Sequence, residues 1–304
     1  MIEKSSMFDI IKRKRKGIEM ITLSERAYAK LNLTLDVLRK RLDGYHDLKS
    51  VMQTVSLYDT VEMDLETGKS WHLICGREDV PCDERNLAWK AAKLYCDAMG
   101  KDPGGITIRI EKTIPSGAGM GGGSADAAAV LRILNRYYGD PLCMDELAEL
   151  GAKIGSDVPF CVIGGTVMCE GRGEIMRPLM KCPHCTIVGC KPEFSVSTPV
   201  LFKKIDSVEI VQHPDNEAME RAIAAGDIHS IAREIFNVFD PVVSEDHPEI
   251  QHIKDVCNSC GAWATQMTGS GSVVFAVMPD SASAEKAMEE LKKTYPQVFI
   301  AEPV

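Results

Sequence analysis

Two periodicities divide this chain into elements. Ile106, Ile108 and Ile110 alternate with Thr107, Arg109 and Glu111, the period of two that turns one face of a strand inward. Beyond residue 125 the period lengthens. Ala127, Leu131, Leu134 and Tyr138 fall on one helical face, and Gly139 then Pro141 supply stop signals. Residues 145–155 (DELAELGAKIG) repeat the helical spacing through Leu147, Leu150 and Ile154. Asn86 to Met99 does so through Leu87, Ala91, Leu94, Tyr95 and Ala98, with Gly100 behind it as a stop. Further along, Thr186 to Cys190 predicts a strand, 216–225 and 228–238 predict helices, and Ser281 to Ala301 predicts a helix followed by a strand. This mixture of strands and helices indicates an α+β fold.

Between the first strand and its helix lies Pro115–Ala125, PSGAGMGGGSA, with glycines at 117, 119, 121, 122 and 123. Glycines at a strand-to-helix junction let an anion approach the backbone, and the unpaired N–H groups of a helix start face it there. A nucleoside triphosphate is the natural guest. The loop ends in Gly123-Ser124-Ala125 and lacks the Gly-Lys-Ser/Thr of a Walker A loop. Gly117, Gly119 and Gly122 satisfy the dinucleotide pattern G-x-G-x-x-G, but a helical segment follows where a βαβ unit would supply a strand. A flexible linker would be flanked by polar residues rather than by two strongly periodic elements.

The 304 residues suffice for two modest domains, and 45% hydrophobic with 26% charged content is ordinary for a globular protein. A formal net charge of −9 argues against general nucleic-acid binding. It does not oppose ATP, because distant surface charge is screened within roughly 8–10 Å at physiological salt. No long apolar run predicts a membrane span and no apolar core predicts a signal peptide, so a cytoplasmic protein is expected. Eleven cysteines, an odd number, then suggest reduced thiols. Cys182-Pro-His-Cys185 and Cys257-Asn-Ser-Cys260 have a zinc-like spacing but lack knuckle glycines, and small buried hydrophobes are the simpler reading. The run Lys12–Lys16 reads as a solvated tail within an N-terminal extension, 1–20, with Met20 as a candidate start. Glycines and prolines cluster at Gly171 to Pro183, the expected linker.

The segment PSGAGMGGGSADAAA resembles the glycine-rich second motif of the GHMP kinases, the superfamily of galactokinase, homoserine kinase and mevalonate kinase. Ala27–Leu33 (AYAKLNL) and Met267–Ala276 (MTGSGSVVFA) resemble the family's first and third motifs, in the family's order. Within the superfamily, AKLNLTLDV followed by RLDGYHDL, GGGSADAA, GSDVPF at Gly155–Phe160 and STPVLF at Ser197–Phe202 are most similar to a branch that phosphorylates a cytidyl-bearing alcohol in non-mevalonate isoprenoid synthesis. Homoserine and mevalonate kinases, or a catalytically silent ligand-responsive regulator of the same fold, remain as alternatives.

The resemblance implies a ribosomal-protein-S5-like first domain over 21–170, a ferredoxin-like second over 171–304, and an active site in the cleft between them. It implies ATP as co-substrate and a small-molecule acceptor. Pro115, Ser116, Gly117, Ala118, Gly119, Met120, Gly121, Gly122, Gly123, Ser124 and Ala125 would hold the triphosphate. Met120 stands where many members carry leucine, a tolerable exchange of apolar volume. Asp157, in Gly155-Ser156-Asp157-Val158-Pro159, matches the family's catalytic aspartate, and Lys30 its catalytic lysine. Read without the family, Asp157 is a turn or capping residue and Lys30 an ordinary lysine. Asn32, on the same strand face as Lys30, would orient substrate hydroxyls. Tyr45 and Phe202 would sandwich a cytosine and His46 read its polar edge, with a plain core role as the alternative for Phe202. Magnesium is expected from the charge transferred, but its ligands are unassigned, Ser124 serving equally as a helix cap.

Overall fold

The computed structural model describes the backbone of residues 8–15, 18–66 and 70–304 and the side chains of 21–65 and 70–304. The first part of the chain forms strands β1 (Phe8–Arg15), β2 (Ile18–Asn32), β3 (Thr34–Lys40), β4 (His46–Glu66) and β5 (Trp71–Cys75), helix α1 (Leu87–Met99), then β6 (Gly105–Glu111). Helices α2 (Gly122–Tyr137), α3 (Met144–Ala152) and α4 (Val158–Ile163) follow, then β7 (Thr166–Gly171), β8 (Ile175–Pro178) and β9 (Thr186–Lys191). Next are α5 (Thr198–Ile205), α6 (Asn216–Ala225), α7 (Ile228–Glu234), β10 (Phe236–Asn237), α8 (Phe239–Ser244) and α9 (Pro248–Ser259). The chain closes with β11 (Ala264–Met267), β12 (Val274–Met278), α10 (Ser281–Lys292) and β13 (Gln297–Ala301).

Two compact units interleave along the sequence. The first contains Tyr58–Ser116, Gly121–Ile163 and the described part of Met1–Ala29; the second contains Lys30–Leu57, Gly117–Met120 and Gly164–Val304.

In the first unit the later half of β4 pairs antiparallel with β6, Thr60 opposite Glu111, and β6 pairs parallel with β5, Trp71 opposite Ile106. The alternation works as its pattern requires: Ile106, Ile108 and Ile110 are buried, as are Val61, Met63 and Leu65 of β4. Helix α1 starts where the Asn86 side-chain Oδ1 accepts from the Ala88 N–H and stops at Gly100 in a left-handed conformation. Helix α2 buries a nearly continuous run from Ala125 to Leu131, which fits its position among α1, α3 and α4. Gly151 lets α3 and α4 meet closely, since a Cβ there would lie 2.8 Å from Val158 Cγ1.

The basic run Lys12–Arg15, read as part of a solvated tail, lies on β1, whose backbone pairs antiparallel with β2, Phe8 opposite Glu25 and Arg15 opposite Ile18, so its backbone is strand rather than tail. Lys16, and with it the rest of the expectation for residues 1–7, lies outside the described residues.

In the second unit β11, β12, β9 and β13 form an antiparallel sheet against which α9 and α10 pack. Val188, Cys190, Val274, Ala276, Ile250, Ile253 and Leu291 belong to its core. Gly189, opposite Phe299 in register, is required there: a Cβ would lie 2.0 Å from the Phe299 ring. The earlier half of β4 pairs with β3 and with β7, and β10 adds to β3 in parallel.

Two expectations are corrected. The linker at 171–183 begins as a hairpin: β8 pairs back onto β7 through a turn with Gly171 at φ 70° and Gly173 at φ 111°, and the Arg172 N–H donates to Glu174. The helix expected over 228–238 stops at Glu234, because Phe236 and Asn237 pair with β3 instead. Tertiary pairing overrides helical periodicity there.

Candidate functional site

Strand β6 and helix α2 bracket the glycine loop as the sequence predicts. Gly117, Gly119 and Gly121 adopt φ of 60°, 75° and 69°, while Ala118 and Met120 between them are buried. The loop's middle is fixed by backbone bonds on both sides. Ala118 O accepts from the Val273 N–H at 3.2 Å and Met120 O from the Lys30 N–H at 3.1 Å. At Gly119 a Cβ would fall 2.2 Å from Thr268 O, a contact only glycine permits. The third motif is linked in turn to the first, since the Asn32 N–H donates to Thr268 Oγ1 at 3.0 Å.

Helix α2 opens with Gly121 as its N-cap and no side-chain cap. Its first N–H groups therefore have no acceptor within the helix, and with the helix dipole they favour an anion. Ser124 sits in the first turn rather than at the N-cap, so its reading as a cap is corrected. Gly155 lies beside that turn, where a Cβ would be 4.0 Å from Ser124 Oγ, so the Gly155–Asp157 turn stands next to the helix start. Asp157 is half-buried, and its carbonyl accepts from the Cys161 N–H as α4 begins. Arg77 donates to both oxygens of Asp79, and its guanidinium, with a smaller contribution from Ser116, holds that carboxyl down at about 2.

Behind the same turn is a buried cluster that sequence reasoning missed. Lys112 Nζ donates to Asp126 Oδ2 at 2.7 Å and to Asp59 Oδ2, and Asp59 Oδ1 accepts from the backbone N–H groups of Thr113 and Ile114. A Cβ on Gly122 would lie 3.2 Å from Lys112 Nζ. Burial, and then the Asp59 charge, push the Asp126 carboxyl up to about 7.

Along β2 and into β3, Lys30, Asn32 and Thr34 alternate with Leu31, Leu33 and Leu35, and all six are buried. The polar row is a chain of hydrogen bonds. Lys30 Nζ donates to Asn32 Oδ1 at 2.7 Å, Asn32 Nδ2 to Ser50 Oγ at 2.8 Å, and Ser50 Oγ to Thr34 O. Thr34 Oγ1 donates to Asn216 Oδ1 at 2.6 Å. Lys30 and Asn32 thus share a strand face, as their spacing predicts, and Asn32 Oδ1 accepts from the Lys30 ammonium.

His46 and Phe202 come together: their rings stack with centroids 4.8 Å apart and planes 24° from parallel. His46 Nε2 bonds Asp206 Oδ1 at 2.7 Å, and Lys40 reaches the other oxygen at 2.5 Å. The hydrogen bond from Lys40 first, and then the one to the His46 ring, hold the Asp206 carboxyl below the usual carboxylate range. Phe202 is half-buried, edge-on to Phe239 at 5.0 Å, and so has both the core contact and an aromatic face. Tyr45 stands on the exposed turn of the β3–β4 hairpin, with the Arg172 guanidinium 3.8 Å over its ring. Neither Asp206 nor Arg172 carries a motif signal.

Among the described residues no group of three or more histidine, cysteine or acidic side chains is placed to hold a metal ion. Burial pushes three of the C-x-x-C thiols up, Cys182 to about 11 and Cys185 and Cys257 to about 12. A magnesium ion carried by phosphate oxygens needs few protein ligands, and the Ser124 hydroxyl in the first turn of α2 suits that role. Among the described residues no helix is long and apolar enough to cross a membrane.

Comparison with known proteins matches residues 86–165 to the GHMP kinases N terminal domain and 219–297 to the GHMP kinases C terminal domain. The chain is 43% identical over 277 residues to 4-diphosphocytidyl-2-C-methyl-D-erythritol kinase of Caldicellulosiruptor saccharolyticus, covering 91% of this chain and 93% of that one. It is 44% identical over 278 residues to the kinase of that name from Geobacillus kaustophilus, covering 91% and 95%. A crystal structure of 4-(cytidine 5'-diphospho)-2C-methyl-D-erythritol kinase superposes with a TM-score of 0.78 at 31% identity, over 92% of this chain and 98% of that one. Homoserine kinase from Cytophaga hutchinsonii superposes at 0.68 with 19% identity, over 91% of this chain and 94% of that one, a likeness of fold alone.

Proposed function

We propose, for a chain that belongs to the GHMP kinase family, that it catalyses ATP-dependent phosphorylation of the 2-hydroxyl of 4-diphosphocytidyl-2-C-methyl-D-erythritol, in non-mevalonate isoprenoid synthesis. The observation that carries this reading is identity of 43% and 44% with kinases of that name across nine-tenths of the chain. Homoserine and mevalonate kinases, below 20% identity, share the fold only.

Phosphoryl transfer demands positioning and charge stabilisation more than covalent chemistry. In this reading Pro115–Ala125 and the first turn of α2 hold the triphosphate. Lys30, oriented by Asn32, supplies positive charge to the acceptor hydroxyl and the transferring oxygens. Asp157 accepts the hydroxyl proton as the acceptor oxygen bonds to the γ-phosphorus, while the bond to the bridging oxygen breaks and its electrons leave with ADP. Asn32 orients the acceptor hydroxyls. Ser124 would be the protein contact for magnesium, which would supply neutralisation of the phosphate charge. Tyr45 and Phe202 stack on the cytosine and His46, fixed by Asp206, reads its polar edge. The acceptor is a small molecule, nucleic acid being disfavoured by the net charge of −9. Eleven free cysteines suit the reducing cytoplasm, where ATP is available.

ADP release with ATP, magnesium and the cytidyl substrate, with homoserine and mevalonate run alongside, tests the reading. Turnover confined to the cytidyl substrate is the expected outcome. Turnover on another alcohol keeps the kinase and discards the substrate; none on any of the three discards the kinase.

A further inference from the structure

Asn237 lies outside all three motifs, yet it touches the structures that carry two of them. Strand β10 is two residues long and continues β3 sideways: the Phe236 N–H donates to Leu33 O at 3.2 Å and the Val238 N–H to Leu35 O at 3.0 Å. This ties Asn237 to the strand segment that follows Lys30 and Asn32. Its side chain is fully buried and points into the third motif. Nδ2 donates to Met267 O and to Gly269 O, each at 2.8 Å, and Oδ1 accepts from the Phe239 N–H at 3.0 Å. Two carbonyl acceptors on one side and an N–H donor on the other admit a single orientation of the amide.

The carbonyls held by Asn237 flank Thr268, the residue whose own carbonyl faces Gly119. A Cβ on Gly119 would lie 2.2 Å from Thr268 O, and a Cβ on Gly269 would lie 2.8 Å from Gly119 O. Backbone rests on backbone there, with no side chain between to absorb a shift. One helical turn after Asn237, Asp240 completes the hold: its Oδ2 accepts from the Met267 N–H at 2.8 Å, and its Oδ1 is fixed by Lys254 Nζ at 2.6 Å. Met267 is therefore bound at both its N–H and its carbonyl.

We propose that Asn237 is a positioning residue for the glycine loop: through the carbonyls of Met267 and Gly269 it sets where Thr268 and Gly269 press on Gly119, and so fixes the conformation in which Ala118–Gly122 receives the nucleotide phosphates. The inference rests on the nucleotide-binding reading of that loop. An amide serving only the core of the second unit would stabilise the fold without favouring one substrate over the other.

The test uses the full-length protein and compares Asn237→Ser and Asn237→Asp with Ile253→Ala, a core truncation on α9 in the same unit. KM for ATP, KM for the alcohol substrate, kcat and the thermal midpoint are measured, together with ADP affinity by calorimetry. Asn237→Ser is expected to raise the KM for ATP and weaken ADP about tenfold, with the alcohol KM within about twofold of wild type. Asn237→Asp, which turns an acceptor toward two carbonyls, is expected to do at least as much; if it fails to fold, the serine variant carries the test. Ile253→Ala is expected to lower the midpoint and leave both KM values within about twofold. ATP and ADP binding unchanged in folded Asn237→Ser, or the same nucleotide defect in Ile253→Ala, overturns the proposal. Wild-type protein that binds no ADP removes the nucleotide-binding reading itself, and the inference with it. Wild-type protein that binds ADP but phosphorylates a different alcohol leaves the inference standing.

Discussion

Lys112 Nζ donates to Asp126 Oδ2 at 2.7 Å, and both groups are buried behind the first turn of α2. With Asp59 on the other side of the ammonium, the cluster holds two carboxyls and one cation. Among the described residues Asp126 Oδ1 has no hydrogen-bond partner, so the fully ionised cluster keeps an unsatisfied charged oxygen away from water.

This arrangement makes stability fall as pH rises. The Asp126 carboxyl is raised from 3.8 to about 7 in the fold, so the folded protein binds more protons than the unfolded chain between these values. Its contribution is fully present below about pH 4 and is lost as pH rises through about 7. Lys112 is also raised, and its contribution is retained throughout that window. Asp126→Asn, neutral at every pH, should therefore melt higher than wild type at pH 8, with the gap closing toward pH 5. Each kcal/mol should appear as roughly 1.5–2 °C for a protein of this size. Thermal scans of both proteins from pH 5 to 8 check it, and a gap independent of pH would refute the assignment.

Gly119 and Gly123 separate stability from nucleotide binding. At Gly119 a Cβ meets the Thr268 carbonyl at 2.2 Å in a backbone with φ 75°, so Gly119→Ala should cost at least about 1–3 kcal/mol. At Gly123, inside α2, the nearest neighbour of a Cβ is Leu87 Cδ1 at 3.6 Å, and alanine should be neutral or stabilise by about 0.5–1 kcal/mol. If the phosphates lie against this turn, Gly123→Ala should nevertheless raise the KM for ATP. Denaturant midpoints and ATP kinetics on the two variants check both halves. A Gly123→Ala protein with unchanged ATP kinetics would move the phosphates elsewhere.

For Asp157→Asn the expected result is a folded protein with kcat reduced by about 10²–10⁴ and little change in KM for ATP, the range over which general bases contribute. Asp157 sits at the start of α4, and its carbonyl bond to the Cys161 N–H survives the substitution. Single-turnover rates and a thermal midpoint on the same preparation check it; retained turnover would exclude Asp157 as the base.

The elements were legible because their signals are local. Ile106–Ile108–Ile110, the Asn86 and Gly100 ends of α1, and the glycine run before α2 each announce themselves within a few residues. The relations that make the loop rigid are not local. Lys112 meets Asp59 across 53 residues of sequence, and Asn237 meets the Met267 carbonyl across 30, with ordinary residue types that carry no spacing signal. The helix expected to reach residue 238 failed for the same reason, since a buried amide with three partners outweighs a few tenths of a kcal/mol of helical propensity per residue. The hairpin at 171–178 was hidden in its glycines, which mark tight turns and linkers alike.

The last prediction concerns recognition of the base. His46 stacks on Phe202 and is held by Asp206, itself paired with Lys40, so one acidic residue orients the histidine of the cytosine reading. Removing the ring should remove base stacking, worth about 1–3 kcal/mol where it has been taken from other base-binding surfaces. Phe202→Ala should thus raise the KM for the cytidyl substrate roughly tenfold or more, leaving the KM for ATP near its wild-type value. Asp206→Asn keeps an oxygen for the His46 ring but removes the charge, and should give a smaller rise in the same KM. Steady-state kinetics with each substrate varied in turn decide the matter. If Phe202→Ala lowers the thermal midpoint without disturbing the cytidyl KM, Phe202 serves the core through its edge contact with Phe239, and the cytosine is recognised by other residues.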